Sequence, residues 1–149
     1  MVECVAAIGR LGTGCLVAVG MGALLVGGCA EPSREPTILQ ARAQPFVVDV
    51  PLPKGFDLDR RKSTHNFSAG KRKIKHYYVG HASPLAVSNF YRQKMPEYQW
   101  ELLDRQLQNG VDVLKYRKGQ ERCEVRIEET PGALFGSKTQ VSVIVQPEP

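Results

Sequence analysis

The chain has 149 residues, enough for one modest hydrophobic core and too few for two. Hydrophobic residues make up 42% and charged residues 23%, ordinary values for a globular chain. The formal net charge is +5, a balance that suits anionic lipid head groups, cell-wall polymers or nucleic acid as partners.

The N-terminus carries a targeting pattern. Arg10 supplies positive charge, Leu11 to Val26 is an uncharged apolar and glycine-rich run, and Val26-Gly27-Gly28-Cys29 follows. This resembles the lipobox of bacterial lipoproteins, with an aliphatic residue three places before the cysteine and small residues in the two places between. The resemblance implies a signal peptide over 1–28, cleavage between Gly28 and Cys29, and acyl chains (palmitate among them) on Cys29. Two or more chains are what stable anchoring to a membrane requires. Ala30 stands where an aspartate would imply inner-membrane retention, so the resemblance points to the outer membrane of a bacterium that has one. Read instead as a permanent transmembrane helix, the run is slightly short and rich in glycine. A membrane address makes nucleic acid the least fitting partner for a basic domain, and none is expected.

Processing places the whole charge excess on the mature part, because residues 1–29 hold one Glu (Glu3) and one Arg (Arg10). It also settles the cysteines. Cys4 and Cys15 would be removed and Cys29 acylated, which leaves Cys123 with no partner for an intramolecular disulfide. Cys123 alternates in phase with Val125 and Ile127, so it is expected to pack in the core as a small hydrophobe.

Residues 29–45 read as a lipidated N-terminus and flexible tether, rich in Pro, Glu, Arg, Gln and Ala without an apolar period. A single domain is expected over 46–149. Phe46 to Val50 reads as a short strand stopped by Pro51 and Pro53. Ser63 to Phe67 should pair with Lys71 to Val79 as a hairpin about Ala69-Gly70. In that register Lys71, Lys73 and Lys75 share a wet face with Thr64, Asn66 and Ser68, while Ile74, His76 and Tyr78 share a dry one. Ser83-Pro84 opens a helix, with Ser as the cap and Pro in the first turn. Its buried stripe is Val87, Phe90, Tyr91 and Met95, and Pro96 ends it. Trp100 to Leu107 and Val111 to Tyr116 follow as strands joined by Asn109-Gly110, a strong hairpin signal. Arg122 to Glu128 and Gln140 to Val145 close the domain, with Pro131-Gly132 in the loop between them. The fold class is α+β: an antiparallel sheet with one main helix packed on one face.

The segment from Pro51 onward is similar to a type of small, uncharacterised bacterial lipoprotein domain. The similarity lies in Pro51-Leu52-Pro53-Lys54-Gly55-Phe56, Phe90-Tyr91-Arg92 with Met95-Pro96, Trp100, and Lys118-Gly119 with Cys123. It implies neither an activity nor catalytic residues.

No nucleophile elbow, phosphate loop or dinucleotide fingerprint is present in the sequence. Catalysis is therefore not expected, and neither is a cofactor. His65 and His76 should be diagonal neighbours across the hairpin, a weak alternative metal pair, but two imidazoles are too few for a tight zinc site. The carboxylates of Asp57 and Asp59, and of Glu128 and Glu129, read as solvated turn or strand-end groups. The strongest surface feature is basic: Arg60, Arg61 and Lys62, then Lys71, Arg72, Lys73 and Lys75. It suits an envelope protein or anionic lipid head groups. The expected role is that of a lipid-anchored, non-catalytic envelope protein binding another envelope component; the alternative is a ligand- or metal-binding lipoprotein.

Overall fold

A computed structural model describes residues 38–131 and 137–148. The expected signal peptide, Gly28, Cys29, the first part of the expected tether and Gly132 lie outside the described residues. The described chain runs β1 (Asp57–Leu58), β2 (Thr64–Ser68), β3 (Lys71–Gly80), α1 (Pro84–Lys94), a 3-10 turn (Met95–Tyr98), β4 (Glu101–Gln108), β5 (Val111–Lys118), β6 (Glu121–Thr130) and β7 (Lys138–Pro147). Every strand pair is antiparallel. The order across the sheet is β1-β3-β7-β6-β5-β4, and β2 also pairs with β3. β2 takes the Lys71–Lys75 half of β3 and β1 takes Tyr78–Val79, so both lie along one side of it.

Local chemistry explains the elements. Asn109 (φ 51°) and Gly110 (φ 80°) both adopt the left-handed conformation that a two-residue hairpin needs, and Ala69 (φ 49°) with Gly70 (φ 71°) does the same between β2 and β3. Ser83 caps α1, its hydroxyl accepting from Ala86 N at 3.3 Å. The helix stops at Lys94 and Pro96 falls in the 3-10 turn, because proline cannot supply the next helical N–H. The hairpin register is the expected one, with His65 opposite Ile74 and Asn66 opposite Lys73.

Two expectations fail at the start of the domain. Phe46 to Val50 is not a strand but a tight turn, in which Val50 N donates to Val47 O at 3.1 Å. Pro45 and Pro51 bracket it without N–H donors, so no ladder can extend from either side. Nor is the tether free up to residue 45. Arg42 N donates to Leu52 O at 2.8 Å and Lys54 N to Gln40 O at 2.8 Å, while Leu39 and Ala41 pack against the core. The domain therefore begins before residue 46. Polar composition concealed two apolar side chains and a backbone pairing that only its partner segment, 52–54, could reveal.

Two covers share the dry face of the sheet. Helix α1 packs on β5 and β6 and buries Val87, Phe90 and Tyr91, with Met95 just beyond its end. The segment before β1 contributes Val47, Val50, Leu52 and Phe56 to the same core. Beneath them lie Val141, Val143 and Val145 of β7, Cys123, Val125 and Ile127 of β6, and Leu114 and Tyr116 of β5, all at most 1% exposed. Cys123 is thus a core residue, as expected, and burial pushes its thiol pKa far up.

The cover formed by the segment before β1 is fastened at Asp49, chiefly by Arg72. Arg72 Nη1 and Nη2 donate to the two carboxylate oxygens of Asp49 at 2.7 and 2.6 Å, and its Nε and Nη2 donate to Glu121 at 2.7 and 2.6 Å. Lys118 reaches Asp49 at 3.1 Å, and Trp100 Nε1 donates to Asp49 O at 2.7 Å. Burial alone would raise the Asp49 carboxyl, but hydrogen bonds from Arg72 and Lys118 outweigh it and hold the pKa below its ordinary value.

Close packing between cover and sheet is tested at Gly80, the last residue of β3. A Cβ there would lie 2.6 Å from the Phe56 ring, itself 1% exposed. Gly80→Ala is expected to cost about 1–3 kcal/mol, read as a lower urea midpoint. An unchanged midpoint would show that the ring has room to move.

Candidate functional site

The period of β3 sorts the expected site residues. Lys71, Lys73 and Lys75 are all exposed on one face, and the register places Ser68, Asn66 and Thr64 directly opposite them. Consecutive members of this row stand about 7 Å apart along the strand. At that spacing their mutual repulsion in water is only about 0.6 kcal/mol per pair, so the row is tolerable without a partner yet favours an anion. Arg72 was expected in the same basic stretch. It belongs to the opposite face, where Asp49 and Glu121 neutralise it.

Arg60, Arg61 and Lys62 form the exposed turn between β1 and β2. Asp59 organises that turn: Arg61 N donates to its Oδ1 at 3.0 Å, and Ser63 N and Oγ donate to its carbonyl at 3.1 and 2.6 Å. Ser63 Oγ in turn accepts from Tyr77 N at 3.0 Å, tying the turn to the open end of the hairpin. The turn and the lysine row therefore lie along one side of the sheet.

Pairing distinguishes these cations from those of β5 and β6 on the wet face. Lys115 meets Asp104 at 3.2 Å, Arg117 meets Glu101 at 3.0 Å and Arg126 meets Glu124 at 3.4 Å, while Arg122 meets Glu148. The basic residues of β5 and β6 on that face are thus balanced by carboxylates. Among the described residues, Lys71, Lys73, Lys75, Arg60 and Arg61 make no ion pair, and Lys62 has one 4.0 Å approach to Asp59. Lys75 lies over the Tyr77 ring at 5.5 Å, a contact that leaves its charge available.

His65 and His76 are neighbours as expected, with ring centroids 5.7 Å apart. Their environments differ. His65 is exposed, whereas His76 is 5% exposed and its Nδ1 lies 2.9 Å from the Tyr78 hydroxyl. No group of three or more His, Cys, Asp or Glu side chains disposed to hold a metal occurs among the described residues. Asp57 is exposed, Asp59 is occupied by its turn, and Glu128 accepts from Gln140. The sequence reading missed Asp112, a buried carboxylate gripped by Arg105 at 3.0 and 2.8 Å across the β4–β5 pair. It also missed the partners of Arg72, although dry-face parity in β3 was a usable signal that this cation needed some.

The chain belongs to the START domain-like family, whose match covers residues 61–147, from the basic turn through the last strand. No curated protein and no solved structure matches the chain. No helix among the described residues is long and apolar enough to cross a membrane.

Burial, and then the neighbouring His65, hold the His76 pKa below the ordinary 6.5. In the unfolded chain His76 takes up a proton near that value; in the folded chain it does so only at lower pH. Stability should therefore be complete above about pH 6.5 and fall as pH drops toward the depressed value. His76→Gln should flatten that slope, measured as urea midpoints between about pH 5 and pH 7.5. A slope unaltered by the substitution would assign it to other groups.

Proposed function

We propose that this protein is a non-catalytic, lipid-anchored protein of the bacterial cell envelope. Acyl chains on Cys29 hold it at the membrane, the outer one where the bacterium has two, and its hairpin face binds an anionic envelope component. The observation that carries this reading is the unneutralised row Lys71, Lys73 and Lys75 beside Arg60 and Arg61, on a face where the cations of β5 and β6 are balanced by carboxylates. A shallow groove runs along the row, lined by Thr64, Asn66, Lys73, Lys75, Ile144 and Gln146. Hydroxyl, amide and ammonium donors there suit the oxygens of a phosphate or carboxylate group. The Val26-Gly27-Gly28-Cys29 motif supports the anchor. The Cys123 thiol and the His76 ring are buried, out of reach of a reacting substrate, which favours binding over catalysis.

The test is in-cell crosslinking of the full chain combined with labelling by a palmitate analogue. Wild type should take up label and Cys29→Ala should not. Replacing Lys71, Lys73 and Lys75 together with Glu should remove the crosslinked adducts, a loss of about 100-fold or more in association if each cation contributes about 1 kcal/mol. The urea midpoint should change little. Adducts that survive charge reversal would overturn the basic face as the contact, and label retained by Cys29→Ala would overturn the anchor.

A further inference from the structure

The hairpin tip combines charge with exposed apolar surface. Phe67, next to last in β2, is 72% exposed and stands directly opposite Arg72. Val48, at the corner of the Val47–Val50 turn, is 86% exposed. It adjoins Asp49, which Arg72 grips from the sheet. Phe67 is thus the cross-strand neighbour of Arg72, and Val48 the chain neighbour of the carboxylate that Arg72 holds, both toward the Lys71 end of β3.

Charges around this surface run one way. Lys71 and Lys73 rim it on the wet side without carboxylate partners among the described residues. The nearby acids are neutralised: Asp49 and Glu121 by Arg72 together with Lys118, and Glu148 by Arg122. An isolated exposed phenylalanine needs no explanation. A phenylalanine and a valine at a hairpin tip, beside unneutralised lysines, match the composition of an interfacial membrane contact, apolar groups at the acyl boundary and cations at the phosphates.

We propose that the β2–β3 hairpin tip docks on a bilayer of anionic phospholipid, with Phe67 and Val48 entering the interface and Lys71 and Lys73 resting on the phosphates. The docking rests on the reading of the basic face given above and specifies its partner as the membrane surface itself. Chain length is compatible. Eight residues separate an acylated Cys29 from Ile38, and such a segment reaches at most about 30 Å. An anchor within that reach raises the effective concentration of the domain at the bilayer. The hairpin then acts as a second, reversible foot that orients the sheet against the membrane.

The experiment places a reporter at the tip. The full chain carrying Phe67→Trp is reconstituted into vesicles containing phosphatidylcholine brominated in its acyl chains, with or without phosphatidylglycerol. The native Trp100 is 1% exposed and supplies a constant background. Leu85→Trp, at a 64% exposed position on α1, is the control. With phosphatidylglycerol present, the Phe67→Trp emission should be quenched several-fold more than the Leu85→Trp emission. Adding Lys71→Glu and Lys73→Glu should abolish the excess. Quenching no greater than the control's would overturn the docking, while leaving the crosslinks of the basic face to stand or fall separately. Equal excess quenching without phosphatidylglycerol, indifferent to charge reversal, would overturn the role of the lysines.

Discussion

The fold closes through one guanidinium. Arg72 sits on the dry side of a strand whose neighbouring cations point to water, and it holds Asp49, 23 residues earlier, and Glu121, 49 residues later. Both contacts use two hydrogen bonds, the geometry in which arginine and carboxylate interact best. The clamp fixes the Val47–Val50 turn over the sheet, and Trp100 secures the same turn through the Asp49 carbonyl. Without the Arg72 clamp, the cover made of Val47, Val50, Leu52 and Phe56 would depend on Lys118 and Trp100 at Asp49, on its short pairing with residues 40–42 and on its apolar contacts.

The same alternation creates the candidate site. A strand side chain has only two faces to choose from. In β3, odd-numbered lysines fall on the open face and Arg72 falls inside, so one basic run is divided between two faces. On β5 and β6 the open-face cations meet carboxylates within reach. On the hairpin the corresponding neighbours are Thr64, Asn66 and Ser68, which carry no charge. Unbalanced charge is thus written into β2 as much as into β3. The membership in the START domain-like family covers this arrangement from the basic turn onward.

Local and periodic features were legible in the sequence. The Ser83 cap, the Asn109-Gly110 turn, the hairpin register and the valines of β7 each depend on neighbours within one element or one turn. Lys71, Lys73 and Lys75 were legible for the same reason. What escaped depends on distant partners. The turn at Val47–Val50 resembles a strand until Arg72 is seen to hold its Asp49. Residues 39–42 resemble a tether until they meet residues 52–54. Phe67 reads as a dry-face residue by parity, yet β2 extends beyond what the covers reach, and the ring is exposed. Periodicity assigns a face; only the extent of the opposing layer decides whether that face is buried.

The central claim is that alternation along β3 separates a structural cation from binding cations. Urea unfolding of Arg72→Gln and Lys73→Gln, measured side by side in the full chain, tests it most directly. Arg72→Gln leaves the partly buried Glu121 without its counter-ion and Asp49 with Lys118 alone, and should cost about 1–3 kcal/mol. Lys73→Gln removes an exposed, unpaired charge and should stay within about 0.5 kcal/mol of wild type. Equal midpoints for the two variants, or a larger loss for Lys73→Gln, would contradict the account.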